Sequence, residues 1–366
     1  MKISCTQENL NKGLLIVSHI SGRNASLPIL NNVLIKTENK VIKLSTTDLE
    51  IGINCIVRGK VEVDGALTVQ AKLLSDYVNL LPKEKIDLEI KGEDLMVACQ
   101  ESKTKIKGIS SEEFPLIPKI EKEETATCQS NILKQAIQQT IFSVTPNEAR
   151  PEISGVLLNF NQELVLTGTD SYRLTEKKIK LEKSAVKGRK VIVPLKTLQE
   201  LLRILPDEEI IVEINLSENQ IMFSFDEVEL ISRIIDGQYP DYQQIIPTSH
   251  KTKVIVQTNE FIRTIKTASL FCRPGINNIN LSFSQKNNEL VTAVINNQLG
   301  ENTSKTKVEI EGDDNAVIFN YRYLLEGLIN FNGDEIVMEI TNGDSPCLLK
   351  PINDESYLYI IMPIKQ

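Results

Sequence analysis

The chain has no tryptophan and two histidines, His19 and His250. Neither histidine sits at a spacing from a carboxylate or cysteine that suggests a catalytic triad or a metal site, and that shortage weakens the case for an enzyme. The six cysteines (Cys5, Cys55, Cys99, Cys128, Cys272, Cys347) include no C-x-x-C pair. Zinc sites and disulfide frameworks show tighter spacing, so reduced, buried thiols are expected. No apolar run approaches the ~20 residues of a membrane helix, and the start MKISCTQENL lacks the apolar core of a signal peptide. A cytoplasmic location is the default, and no cofactor or metal is implied. Positive charge is short as well: 41 Lys and Arg face 49 Asp and Glu, a net charge of −8. That balance argues against gripping nucleic acid through bulk electrostatics, although it leaves room for local basic surfaces.

What is present is the balance of a globular protein, 41% apolar and 25% charged over 366 residues, long enough for two or three domains. The sequence repeats itself. EKIDLEI (84–90) returns as EEIIVEI (208–214) and DEIVMEI (334–340), each alternating apolar and polar as a half-buried strand does. A helical pattern precedes each copy: AKLLSDYVNLLP (71–82), LKTLQELLRILP (195–206) and YRYLLEGLINFN (321–332). Pro82 and Pro206 mark two of the stops. An earlier amphipathic helix opens each repeat, at 6–20, 129–144 and 257–271, followed by strand pairs such as PEISGVLLNFNQELVLTGTD. Three α+β domains follow, 1–122, 123–249 and 250–366, each reading as two half-units.

The helices carry Lys12, Lys72, Lys134, Lys196, Arg203, Arg263, Lys266 and Arg322, and Arg23 follows the first helix in SGRNAS. Any one of these solvates an exposed helix face. Their recurrence on comparable helices of three repeats points instead to a shared anionic partner, held by weak, sequence-independent phosphate contacts.

The stretches LPILNNVLI with TTDLEIGI, RPEISGVLL with TDSYRL and YPDYQQIIP, and the terminal YLYIIMPIKQ together make the whole chain resemble the β sliding clamps of bacterial DNA polymerase III. The resemblance implies three homologous clamp domains with outer antiparallel sheets and helices lining a central channel. It also implies a head-to-tail homodimeric ring around duplex DNA, without sequence specificity. The replicative polymerase, the clamp loader and other polymerases or repair proteins would attach through a short peptide. By resemblance the peptide cleft comprises Ile153, Thr169, Ser171, Tyr172, Arg173, Leu174, Pro240, Gln244, Ile245, Ile360, Met362, Pro363, Ile364 and Lys365, with Pro346 a looser member. Ile, Leu, Met and Pro would form an apolar floor, and Thr169, Tyr172 and Arg173 a polar rim. The subunit interface is expected around Lys105 to Ile109 and Cys272 to Ile276.

The chain departs from the family pattern at several of these positions. Tyr172 stands where histidine is usual, Ser171 where glycine is frequent, Gln244 for a basic residue, Ile364 for methionine and Lys365 for arginine. A competing reading makes GTDSYRL (168–174) the centre of a hydrolase or transferase, with Asp170 acting on Tyr172 or Ser171. It lacks an activated nucleophile or metal, and the third repeat has INNQLG (295–300) where the second has TDSYRL.

Overall fold

The computed structural model describes residues 1–21, 27–118, 120, 124–273 and 275–365. The helices form where apolar spacing places them: α1 (Gln7–Val17), α2 (Ala71–Leu80), α3 (Ser130–Ile141), α4 (Leu195–Ile204), α5 (Thr258–Ser269) and α6 (Tyr321–Leu328). Side-chain caps are seen at the starts of α1 and α6. Thr6 accepts from the Asn9 N–H at the start of α1, and Asn320 from the Arg322 N–H at the start of α6. No helix among the described residues is long and apolar enough to cross a membrane.

The chain divides into two compact units. One contains Met1–Asn131, Glu182–Val186 and Gln199–Ile234; the other contains Ile132–Leu181, Lys187–Leu198 and Ile235–Gln366. The division runs through the second repeat because each half of that repeat joins a neighbour's sheet. In the first unit a 14-stranded sheet is continuous across the first two repeats. Val228–Arg233 pairs antiparallel with Ile51–Val57, setting Leu230 opposite Ile53. In the second unit Arg173–Lys180 pairs with Tyr357–Ile361 inside a nine-stranded sheet, setting Leu174 opposite Ile360. A four-stranded sheet of the third repeat completes this unit. The expected domain boundary at 122/123 lies outside the described residues.

Strands bury alternate residues, as their period of two requires: Asn278–Ser284 sinks Ile279, Leu281 and Phe283 and exposes Asn280 and Ser282. Those side chains join Phe261 and Ile265 of α5 and Leu324 and Leu328 of α6 in one core. Gly327 is needed there, because a Cβ would lie 2.2 Å from the Tyr359 ring. All six cysteines are buried and free. Burial pushes the Cys5 and Cys128 thiols up to about 12 and Cys55 to about 11.

Of the strand edges left open among the described residues, two belong to the counterparts of the strands that join one repeat to the next. Ser102–Ile109 pairs along Asp94–Cys99 on one side, but on the other side meets Gly65–Gln70 only at Gly108 and Ile109. Gly300–Lys307 ends the four-stranded sheet and pairs only with Glu289–Asn296.

Candidate functional site

The stretch 168–174 closes one strand and opens the next through a tight turn. Asp170 Oδ1 accepts the N–H groups of Tyr172 and Arg173 at 3.0 and 3.1 Å, while Oδ2 accepts from Arg173 Nε at 2.9 Å. The Thr169 hydroxyl accepts from the Ser171 N–H and donates to the Arg173 carbonyl. Ser171 is held at φ +77°, a left-handed conformation that glycine adopts without strain. Its hydroxyl accepts from Arg150 at 3.0 Å.

Arg173 differs from its expected place on a rim. It is 6% exposed, with its guanidinium 4.6 Å from the centre of the Tyr323 ring and 5.6 Å from that of Phe142. Besides Asp170 it donates to Glu326 of α6. Burial opposes its charge, but the bond to Glu326 and the neighbouring Tyr359 and Asp170 outweigh that and raise its pKa. Arg173 therefore braces the turn from beneath, and Thr169, with its hydroxyl engaged in the turn, is buried too. The exposed members are Ser171 and Tyr172; Tyr172 is 62% exposed, and its ring stacks on that of Tyr323 with centroids 6.3 Å apart.

The tail meets this turn directly. The Met362 N–H donates to the Tyr172 carbonyl at 2.9 Å, and the Ile364 N–H to the Ile318 carbonyl at 2.8 Å. Leu174 and Ile360 share an apolar cluster with Leu157, Ile192, Tyr242 and Leu348. Around it lie Ile153, buried in a short 3-10 turn next to Arg150, and the segment carrying Pro240, Gln244 and Ile245. Gln244 is exposed and donates to Asp241, while Pro240 and Ile245 are half-buried. Pro346 immediately precedes the strand Cys347–Pro351, where Cys347 pairs with Ile361. Pro363 is half-buried and Lys365 exposed. The sequence reading missed Phe142, Arg150, Tyr323 and Glu326. Tyr323 and Glu326 lie one helical turn apart in α6, a spacing visible in the sequence, but only the fold sets that face against residue 173.

Among the basic residues, Lys12, Lys72, Lys196, Arg263, Lys266 and Arg322 are exposed and Lys134 is half-buried. Lys72 also pairs with Asp76 one turn on. Arg23 lies outside the described residues. Arg203 is largely engaged: it donates to the Leu15 and Ile16 carbonyls at 2.9 and 2.7 Å and to Glu200, which also contacts His19. Its guanidinium caps the end of α1, whose last carbonyls have no partner within the helix.

The fold is that of a polymerase clamp built from three repeated domains. Models of the N-terminal, central and C-terminal domains of the DNA polymerase III beta subunit match residues 1–118, 127–241 and 243–365. The beta sliding clamp of Bacillus subtilis is 30% identical over 377 residues, covering all of both chains. A crystal structure of the B. subtilis DNA polymerase sliding clamp has a TM-score of 0.96 at 29% identity, covering 100% of this chain and 99% of that one. A sliding clamp from Pseudomonas aeruginosa bound to griselimycin has a TM-score of 0.96 at 25% identity, with both chains fully covered. The chain belongs to the beta sliding clamp family, and its function is that of a DNA sliding clamp serving polymerase processivity.

Proposed function

We propose that two copies of this chain close head to tail into a ring around duplex DNA. In that ring the 168–174 turn and the C-terminal tail hold a short peptide of the replicative polymerase, the clamp loader or another DNA-handling protein. The pair of open strand edges carries this reading. In each repeat-to-repeat seam the last strand of one repeat pairs with the fourth-placed strand of the repeat before it: Val228–Arg233 with Ile51–Val57, and Tyr357–Ile361 with Arg173–Lys180. The strands left over in the series are Ser102–Ile109 and Gly300–Lys307. An open edge is association-prone, and a second copy meeting it head to tail closes both. This refines the expected interface. The third-repeat partner of the Lys105 to Ile109 region becomes the 300–307 edge; Leu270 and Ile276, 74% and 49% exposed, flank Phe271, whose carbonyl accepts from Asn296, the residue paired with Gly300. Pro274 of the expected segment lies outside the described residues.

Lys72, Lys196 and Arg322 each take the second position of the later helix in their repeat, which is what a surface shared by one threaded anion requires. A few screened phosphate contacts leave the ring free to slide. In the cleft, burying one leucine or phenylalanine anchor stabilises by roughly 1.5–3 kcal/mol. Less the cost of ordering the peptide, this gives an affinity suited to exchange between partners. The clamp works without catalysis of its own. Both oxygens of Asp170 are engaged by the turn and Arg173, so neither is placed to activate Tyr172 or Ser171. It acts where the chromosome is, in the cytoplasm.

Light scattering with and without a polymerase-derived peptide tests the assembly, and retention on closed circular DNA tests the ring. The expected results are a particle of twice 41.1 kDa, a mass increase with peptide, and loss from the DNA once it is linearised. A monomer that cannot be loaded onto circles sinks the reading.

A further inference from the structure

The cleft turn is built twice. In the first repeat, the Thr47 hydroxyl donates to the Ile51 carbonyl at 2.9 Å and accepts from the Leu49 N–H at 3.0 Å. Asp48 Oδ1 accepts from the N–H groups of Glu50 and Ile51 at 3.0 and 2.7 Å. Residue for residue these are the bonds of Thr169, Asp170, Ser171, Tyr172 and Arg173. Leu49 has φ +80° where Ser171 has +77°. The exit from the neighbouring strand matches as well: the Arg233 N–H donates to the Glu50 carbonyl at 3.1 Å, as Met362 does to Tyr172. A proline-bearing connector passes each turn, with Pro115 in one and Pro240 in the other.

The two sites differ in what fills them. Position 174 is leucine, but its counterpart is Gly52, where a Cβ would lie 2.8 Å from Ile117 Cγ2. The connector's own Ile117 thus leans into the space, packing on Ile120, Met222 and Ile231. A groove of about 240 Å³ remains, walled by Ile51, Pro115, Ile117 and Ile231. Leu49 and Leu116 stand at its lip, 48% and 96% exposed. Glu50 and Arg233, both well exposed and 3.8 Å apart, supply opposite charges beside it.

We propose that this groove at the first seam is a second docking site for an extended peptide carrying one aliphatic anchor, a smaller counterpart of the cleft at the second seam. The inference rests on the peptide-binding reading of that cleft. Leu49 and Leu116 are where the anchor would be covered, and burying either removes apolar surface now in water. Because Ile117 takes part of the space, the anchor buries less of itself by the equivalent of one or two methylenes, so binding is weaker by on the order of tenfold.

The probe is an acetylated, amidated pentapeptide of alternating leucine and serine, titrated into full-length protein labelled at its Ile and Leu methyl groups and followed by NMR. Saturable shifts are expected at Leu49, Leu116, Ile117 and Ile231, at higher probe concentration than those at Leu174 and Ile360. Leu116→Asp, at a fully solvated position, should abolish the first set and leave the second; Leu49→Asp is the second variant should the first disturb the connector. Silence at the first seam while Leu174 and Ile360 respond overturns the proposal, as does an undiminished response in both variants. A response confined to the first seam would leave this site standing and overturn the cleft reading. Silence at both overturns both.

Discussion

At the scale of single residues, Asp170 and Arg173 act as one unit. The carboxylate holds two turn N–H groups and a buried guanidinium, so removing it orphans three donors together. Asp170→Ala is expected to lower stability by about 2–4 kcal/mol, because a buried charge loses a partner and two amides lose their acceptor. Urea unfolding against wild type checks this, and Asp170→Asn, which keeps Oδ1, should recover part of the loss. Asp354 gives a pH-dependent counterpart. Burial pushes its pKa up, but bonds from the Ser356 hydroxyl and N–H and from Lys177 prevail and leave it depressed. A carboxyl depressed on folding stabilises above its unfolded pKa and loses that contribution as pH falls through the folded value. Wild type should therefore lose more stability than Asp354→Asn between pH 5 and about 3, measured as urea midpoints along an acid series. The turn-forming role of Asp170 was legible in the sequence, since Asp before such a turn accepts nearby N–H groups. The burial of Arg173 was not, because Glu326 lies 153 residues away and no local pattern joins them.

At the scale of elements, helices and strands were readable because apolar spacing and alternation are local signals. The C-terminal end of α1 was not, because its cap comes from another repeat. Arg203 is that cap: as a basic residue near the end of α4 it read as facing nucleic acid. Instead it serves the C-terminal carbonyls of α1, where a cation also meets the negative end of the helix dipole. Arg203→Ala should cost roughly 2–3 kcal/mol, since it frees two carbonyls and leaves Glu200, 6% exposed, with one fewer donor. Arg203→Lys should recover little, because an ammonium lacks the fork that reaches two carbonyls and a carboxylate at once. Urea midpoints of the three proteins decide it. DNA retention at low salt should change less in Arg203→Ala than in a variant at Arg263, which is exposed.

At the scale of the whole molecule, net charge and local charge separate. The chain carries −8, yet Lys72, Lys196 and Arg322 recur at one position of three related helices, and a closed pair of copies would present six such cations. The repeat was legible because its period survives in the sequence. The pairing of Val228–Arg233 with Ile51–Val57 was not, because neither strand's pattern says which edge it will meet. If the three positions face a threaded duplex, replacing all of them by glutamate leaves at most three more phosphates per copy without a cation. Counterion release then makes the dependence of log K on log salt shallower by roughly 0.9 for each phosphate no longer neutralised. Loading the variant onto closed circles across 50–200 mM salt and measuring retention gives that slope. The variant should still sediment as a dimer, since these cations lie on helices and not on the open strands 102–109 and 300–307. By contrast, Leu270→Asp with Ile276→Asp should yield a monomer with the helix cations intact. A dimer that falls apart in the glutamate variant, or an unchanged salt slope, would show that the recurring cations stabilise the subunit interface rather than meet the DNA.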